Sequence, residues 1–294
     1  MVEVVPLHFG VTFKRVFKQP EVFRAFANDV LDININIDSV DTEYQYPEPS
    51  GFVKTEYDLF AEDKEQRIIV EIQHVKEEDF FGRFLYYHLI GLVEQVRSYA
   101  EYNFAKTVYT IVVLTSVPRD NSINFGYAVS DMNPIDEAGR LVDVYPHKLV
   151  FLNPRLANEK TPPKVREWLE LIADSLDGEV DETSYQRPLF QQIIQEIEQD
   201  TITSEELSRI KDEAAWEKAK ERFAREGREE GREEGREEGR EEGREEGREE
   251  GREEERKLMV LSLLKQGVDL EIVMNVTGFT SEEIKKIKSS DRSS

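Results

Sequence analysis

The stretch EYDLFAEDKEQRIIVEIQ, residues 56–73, decides how the N-terminal half of this chain folds. It reads as two strands, roughly 55–62 and 67–74, joined by the polar DKEQ at 63–66. In the second strand Ile68, Val70 and Ile72 alternate with Arg67, Ile69, Glu71 and Gln73. A strand sends successive side chains to opposite faces, so the first set predicts a core face and the second a mixed, more polar one. With an even loop Glu62 pairs with Arg67, and the ladder runs back to Asp58 opposite Glu71, two carboxylates on one face with Cβ atoms about 5 Å apart. An odd loop turns Asp58 to the other face and removes the pair. Like charges directly opposite destabilise a sheet, so the even register asks for a cation between them, a hard divalent ion such as Mg²⁺ or Mn²⁺. Gln73, two residues after Glu71, points to the same side. By itself the same pattern also describes a solvated hairpin face.

Upstream, GVTFKRVFKQPEVFRAFANDVLD (10–32) carries Phe13, Val16, Phe17, Val22, Phe23, Phe26, Val30 and Leu31 at helical spacing. Pro20 divides it into two amphipathic helices. Lys14, Arg15 and Lys18 fall on the other side, as a solvated face or a local phosphate-binding patch. Residues 33–46 alternate imperfectly and predict a strand before a PEPSG turn at 47–51. Downstream, DFFGRFLYYHLIGLVEQVRSYAEYN (79–103) predicts one long helix with Asp79 as N-cap. Its expected core stripe is Phe81, Leu85, Leu89, Leu92, Val96 and Tyr99, with Arg83, Tyr87 and Gln95 off it. TVYTIVVLT (107–115) is continuously apolar and β-branched, the mark of a strand buried on both faces. Strands near 125–130 and 142–152 and helices near 162–177 and 185–200 complete a mixed α/β core around a central sheet.

The sequence then changes character. GREE repeats seven times from Gly227 to Glu254. Glycine at every fourth position costs a helix about 1 kcal/mol each relative to alanine, and a period of 4 leaves no apolar seam for a coiled coil. The repeat predicts a marginal helix or a flexible spacer. KLMVLSLLKQG (257–267) then predicts an apolar helix stopped by Gly267, and VDLEIVMNVTGFTSEEIKKIKS two short helices, the second opened by Thr280 or Ser281. The expected organisation is a core over 1–160, a helical extension over 161–210, a charged stalk over 211–257 and a small helical module over 258–294.

The chain of 294 residues has no cysteine, which excludes disulfides and thiolate metal sites and fits a reducing cytoplasm. His8, His74, His88 and His147 are scattered too widely in sequence to suggest a zinc site. No basic start followed by an apolar run predicts a signal peptide, and the longest apolar runs are too short to span a bilayer, so no membrane partner is expected. Net charge is −23, of which the GREE tetrads, 7 arginines against 14 glutamates, supply −7. That balance counts against nucleic acid as a partner, because DNA affinity comes largely from phosphate neutralisation; an enzyme needs only a local basic patch and a bridging metal.

Taken together, FKRVF (13–17), YDLFAEDKEQRIIVEIQ (57–73), RFLYYHLIGLVEQVRSYAEY (83–102) and the glycine–glutamate tetrads followed by GVDLEIVMNVTGFTSEEIKKI resemble the Rpn group of recombination-promoting nucleases, also called PD-(D/E)XK nuclease family transposases. The resemblance implies a restriction-endonuclease-like α/β core and Mg²⁺- or Mn²⁺-dependent hydrolysis of phosphodiester bonds in recombining or mobile DNA. It implies Asp58 and Glu71 as metal ligands, joined by the backbone carbonyl of Ile72. It places Gln73 where many members of the superfamily carry lysine, a substitution the group shares. The compensating phosphate-binding cation would then be Lys14 or Arg83. Gly10 stands where members often carry an aspartate, which would leave the site one ligand poorer. Two other readings remain open: a catalytically idle relative that binds or assembles, with a homo-oligomer formed through the stalk or terminal module, and an acidic protein that binds a basic partner.

Overall fold

The chain divides into two compact units, Met1–Lys218 and Ala219–Ser294, and the computed structural model describes residues 1–46, 53–74, 80–96, 104–117 and 123–291. In chain order the elements are β1 (Val2–Glu3), α1 (Gly10–Phe17), α2 (Pro20–Leu31), β2 (Asp41–Tyr44), β3 (Tyr57–Glu62), β4 (Gln66–Gln73) and α3 (Phe80–Val93). There follow β5 (Thr107–Leu114), β6 (Tyr127–Asp131), β7 (Lys148–Leu152), α4 (Pro163–Ser175), β8 (Glu179–Val180), α5 (Pro188–Ile197), α6 (Ser204–Lys265), α7 (Leu270–Thr277) and α8 (Ser281–Asp291).

The central sheet of the first unit has six strands in the order β2-β3-β4-β5-β7-β6. β2, β3 and β4 run antiparallel, β4, β5 and β7 parallel, and β6 returns antiparallel to β7. The mixed α/β core read from the sequence is therefore present. The even loop holds: Glu62 pairs with Arg67 and Leu59 with Val70.

One face of the sheet carries the main core, where Leu59, Ile68, Val70, Ile111 and Val113 meet Phe13, Phe17, Phe26 and Trp168 from α1, α2 and α4. Proline at the first turn starts α2, α4 and α5, where its missing N–H costs nothing. The other face is covered by α3, so Val108 and Val112 of β5 are as buried as Ile111 and Val113, as a continuously apolar strand requires. The hairpin face read as polar is thus roofed over rather than solvated: Ile69 packs with Tyr57, Phe60 and Leu92, and Arg67 is sealed by Glu62, the Tyr46 hydroxyl and the Gly91 carbonyl.

α3 corrects the expected stripe. Of that stripe Leu92 is buried as expected, but Phe81, Leu85 and Leu89 are 42, 43 and 42 % exposed, whereas Phe84, His88 and Ile90 are buried. The helix is apolar almost all round, so periodicity permits two faces and close approach selects one. At Gly91 a Cβ would stand 3.0 Å from Ile69 Cδ1, and His88 Nδ1 shares a 2.9 Å hydrogen bond with Thr110 Oγ1. Asp79, expected as the cap, and Tyr99 lie outside the described residues, as do the PEPSG turn and residues 97–103 of the long helix. The strand expected over 33–46 is confined to β2, because Ile35 and Ile37 are drawn into the main core as irregular chain.

In the second unit the tetrads take the helical alternative and run unbroken into the apolar stretch after them as the C-terminal part of α6, so that stretch is not a separate helix. Gly267 and Gly278 end α6 and α7 at φ 79° and 73°, a conformation glycine adopts without strain. Val260, Val273 and Ile284 form a small core. Arg256 donates to the Thr277 carbonyl and lies over the Phe279 ring. Thr280 and Glu283 cap α8 reciprocally. Among the described residues no helix is long and apolar enough to cross a membrane.

Candidate functional site

The register that pairs Leu59 with Val70 sets Asp58 opposite Glu71 at the next step. There the side chains take over from the ladder. The Asp58 N–H donates to Glu71 Oε1 at 3.1 Å, and the Ile72 N–H donates to Asp58 Oδ2 at 3.0 Å. Each acid is held by the other strand, so the pair is fixed by backbone rather than by rotamer choice. On the far side of β3, the pairs Thr42–Leu59 and Tyr44–Tyr57 bracket Glu43 opposite Asp58. Glu43 adopts φ 55°, a left-handed conformation uncommon for a residue with a Cβ and concentrated at functional sites. One row across three strands thus reads Glu43, Asp58, Glu71.

Two helices bring further charge to this row. Lys14 on α1 places Nζ 2.8 Å from Glu43 Oε1 and 3.8 Å from Asp58 Oδ1. Glu213 on α6 accepts from the Gly10 N–H at 2.8 Å, and a Cβ added to Gly10 would lie 3.5 Å from the same carboxylate oxygen. A carboxylate from a segment two hundred residues away thus lies against position 10, where an acid was expected to be missing. Arg83 on α3 lies against the Phe84 and Tyr87 rings, and its charge acts on both Asp58 and Glu71. The structure therefore gathers Asp58, Glu71, Lys14 and Arg83 at one place. Gln73 sits half-buried at the end of β4, where its carbonyl accepts from Thr115 N–H, and the Ile72 side chain packs on the main core.

The electrostatics are those of excess negative charge in a dry place. Burial, then the charge of Asp58, pushes the Glu71 carboxyl well above its ordinary value, against the Asp58 N–H, Arg83 and Lys14. Burial also raises Asp58, against the Ile72 N–H and the two cations. Glu213 is raised by burial, with Asp58 adding repulsion. Burial alone would lower Lys14, but its hydrogen bond to Glu43 and the surrounding carboxylates raise it. Asp58 and Glu71, facing each other and both titrating high, are oxygen donors short of positive charge, an environment a hard divalent cation satisfies.

Glu43 and Glu213 escaped sequence reasoning. A left-handed residue in a strand breaks the alternation that assigns faces, and no local pattern links Glu213 to Gly10. The histidines also need correction: His8 and His74 are stacked, with ring centroids 4.4 Å apart.

A family model described as PD-(D/E)XK nuclease family transposase matches residues 10–221, a span that takes in α1, the hairpin and α6 through Glu213. No curated protein and no solved structure matches.

Proposed function

Because the chain belongs to the PD-(D/E)XK nuclease family transposases, we propose that it is a DNA endonuclease hydrolysing phosphodiester bonds of recombining or mobile DNA in the cytoplasm. Asp58, Glu71 and the Ile72 carbonyl would hold Mg²⁺ or Mn²⁺. One observation carries the reading: two carboxylates, Glu71 only 1 % exposed, face each other across β3 and β4 with their acidities suppressed. When bound, the cation supplies Lewis-acid activation of water and neutralises charge on the scissile phosphate.

The chain's own residues supply the rest. Glu213 holds the N-terminus of α1 and adds a carboxylate beside the pair. Lys14, poised between Glu43 and Asp58, exchanges its exposed partner Glu43 for a phosphate oxygen. Arg83 gives a second positive charge from the opposite helix, fixed against aromatic rings. Gln73 carries no charge and serves by hydrogen bonding to water or phosphate. A net charge of −23 repels DNA at long range, so recognition rests on this local patch.

The test is nicking and linearisation of plasmid DNA during titration with Mg²⁺ and Mn²⁺, wild type beside Asp58→Ala and Glu71→Gln. Metal-dependent cleavage by the wild type alone is expected. Folded wild type that cleaves with neither ion would overturn the proposal in favour of a nuclease-fold protein that binds or assembles through α6, α7 and α8.

A further inference from the structure

We propose that His8, His74 and Glu217 form a second cation site that selects Zn²⁺, distinct in chemistry from the carboxylate site and independent of the nuclease reading. His8 lies in the segment leading into α1, His74 directly follows β4, and Glu217 lies on α6 one turn beyond Glu213. The Nε2 atoms of His8 and His74 stand 3.9 and 4.0 Å from the same Glu217 oxygen, Oε2, and one donor atom from each of the three residues fits within 4.8 Å. These separations are too long for hydrogen bonds. Donors about 2.0–2.1 Å from a tetrahedral zinc lie about 3.4 Å apart, so a contraction of roughly half an ångström brings each histidine nitrogen to ligand spacing from the Glu217 oxygen.

The alternative is a histidine pair held by simple ion pairing to Glu217. Burial above all lowers His8 to about 4, so its imidazole is neutral at pH 7. A neutral imidazole makes no ion pair and is the form that ligates metal. His74 Nδ1 shares a 2.8 Å hydrogen bond with Thr115 Oγ1. With the proton on Nδ1, the Nε2 lone pair is turned to Glu217, the outer-shell arrangement typical of ligating histidines. Arg155 opposes a cation here, but its Nε is committed to the Thr115 carbonyl, and Glu217 supplies the neutralising charge. The three side chains are 13, 27 and 17 % exposed, sheltered yet open to a fourth ligand from solvent.

Two imidazoles and one carboxylate match the donor set of three-ligand zinc sites, whereas the Asp58 cluster offers oxygen alone. An ion at the histidines would fasten together the leader into α1, the end of β4 and α6. Those same segments carry Gly10, Glu71 and Glu213.

Full-length protein, equilibrated with Zn²⁺ under millimolar Mg²⁺ and then dialysed, is assayed for bound zinc. Co²⁺ is added in parallel as a visible-absorption reporter of tetrahedral coordination, and circular dichroism checks each variant's fold. One zinc per chain is expected in wild type and in Glu71→Gln, with affinity lowered about 100-fold in His8→Ala and His74→Ala. Glu217→Gln keeps the helix and the shape of the side chain and should also weaken binding, so it decides the matter should a histidine variant fail to fold. Wild type without stoichiometric zinc, undiminished binding in folded His8→Ala or Glu217→Gln, or zinc lost from Glu71→Gln would each overturn the proposal.

Discussion

Glu71 is an acid kept where its charge is unwelcome, buried and facing Asp58. Its raised pKa means that, between the ordinary carboxylate range and its own, the folded chain holds a proton that the unfolded chain has released. Stability therefore falls as pH rises through that window. In chelator, Glu71→Gln should melt higher than wild type near neutrality, and the two should converge on acidification toward the ordinary carboxylate range. Added Mg²⁺ should raise the melting temperature of wild type alone. Parallel melting curves for both proteins across that range would refute the assignment. Glu213 permits a second prediction at this scale. If it serves as the acid absent at position 10, Glu213→Gln should raise the divalent concentration needed for half-maximal cleavage about tenfold. Gly10→Asp, which brings a second carboxylate against the first, should be harmful alone yet restore Glu213→Gln, read from activity against metal concentration.

Elements were legible where one physical signal dominated. Pro20 divided α1 from α2, β-branched residues marked β5, and an even loop put Asp58 across from Glu71. The rest depended on partners distant in sequence. Phe81, Leu85 and Leu89 make as good a stripe as Phe84, His88 and Gly91, and it is the Gly91 contact with Ile69 and the His88–Thr110 hydrogen bond that decide between the two faces of α3. Gly91→Val should accordingly destabilise the core by about 1–3 kcal/mol through overpacking against Ile69 and Val108, measured by denaturant unfolding; an unchanged midpoint would show that α3 sits less tightly than the contact implies. For the acidic site, the hairpin pair was readable and its neighbours were not. Glu43 belongs to a strand that loses its alternation at that residue, and Glu213 and Glu217 looked like two more charges in an acidic helix.

For the whole molecule, the division at Lys218 separates a sheet-built unit from one whose only described core is the small cluster around Val260. The acidic groups that touch the sheet-built unit, Glu206, Glu213 and Glu217, all precede the division, whereas the tetrads all follow it. Removing residues 227–254 should therefore leave the melting temperature and metal-dependent cleavage of the core unchanged, while ellipticity at the helical band falls in proportion to the residues lost. A folded deletion variant without activity would show that the tetrads take part in the chemistry.

Four residues advance an α-helix by about 6 Å and carry it about 40° past a full turn. Each GREE tetrad in α6 is thus a fixed increment of both length and heading, and about nine of them return the helix to its starting azimuth. Gaining or losing one tetrad keeps the pattern of charges intact and re-aims α7 and α8 by a small, constant step relative to the first tetrad. A protein that varies by whole tetrads would search orientations as a vernier does, in equal graduations, with no new side-chain chemistry required at any setting.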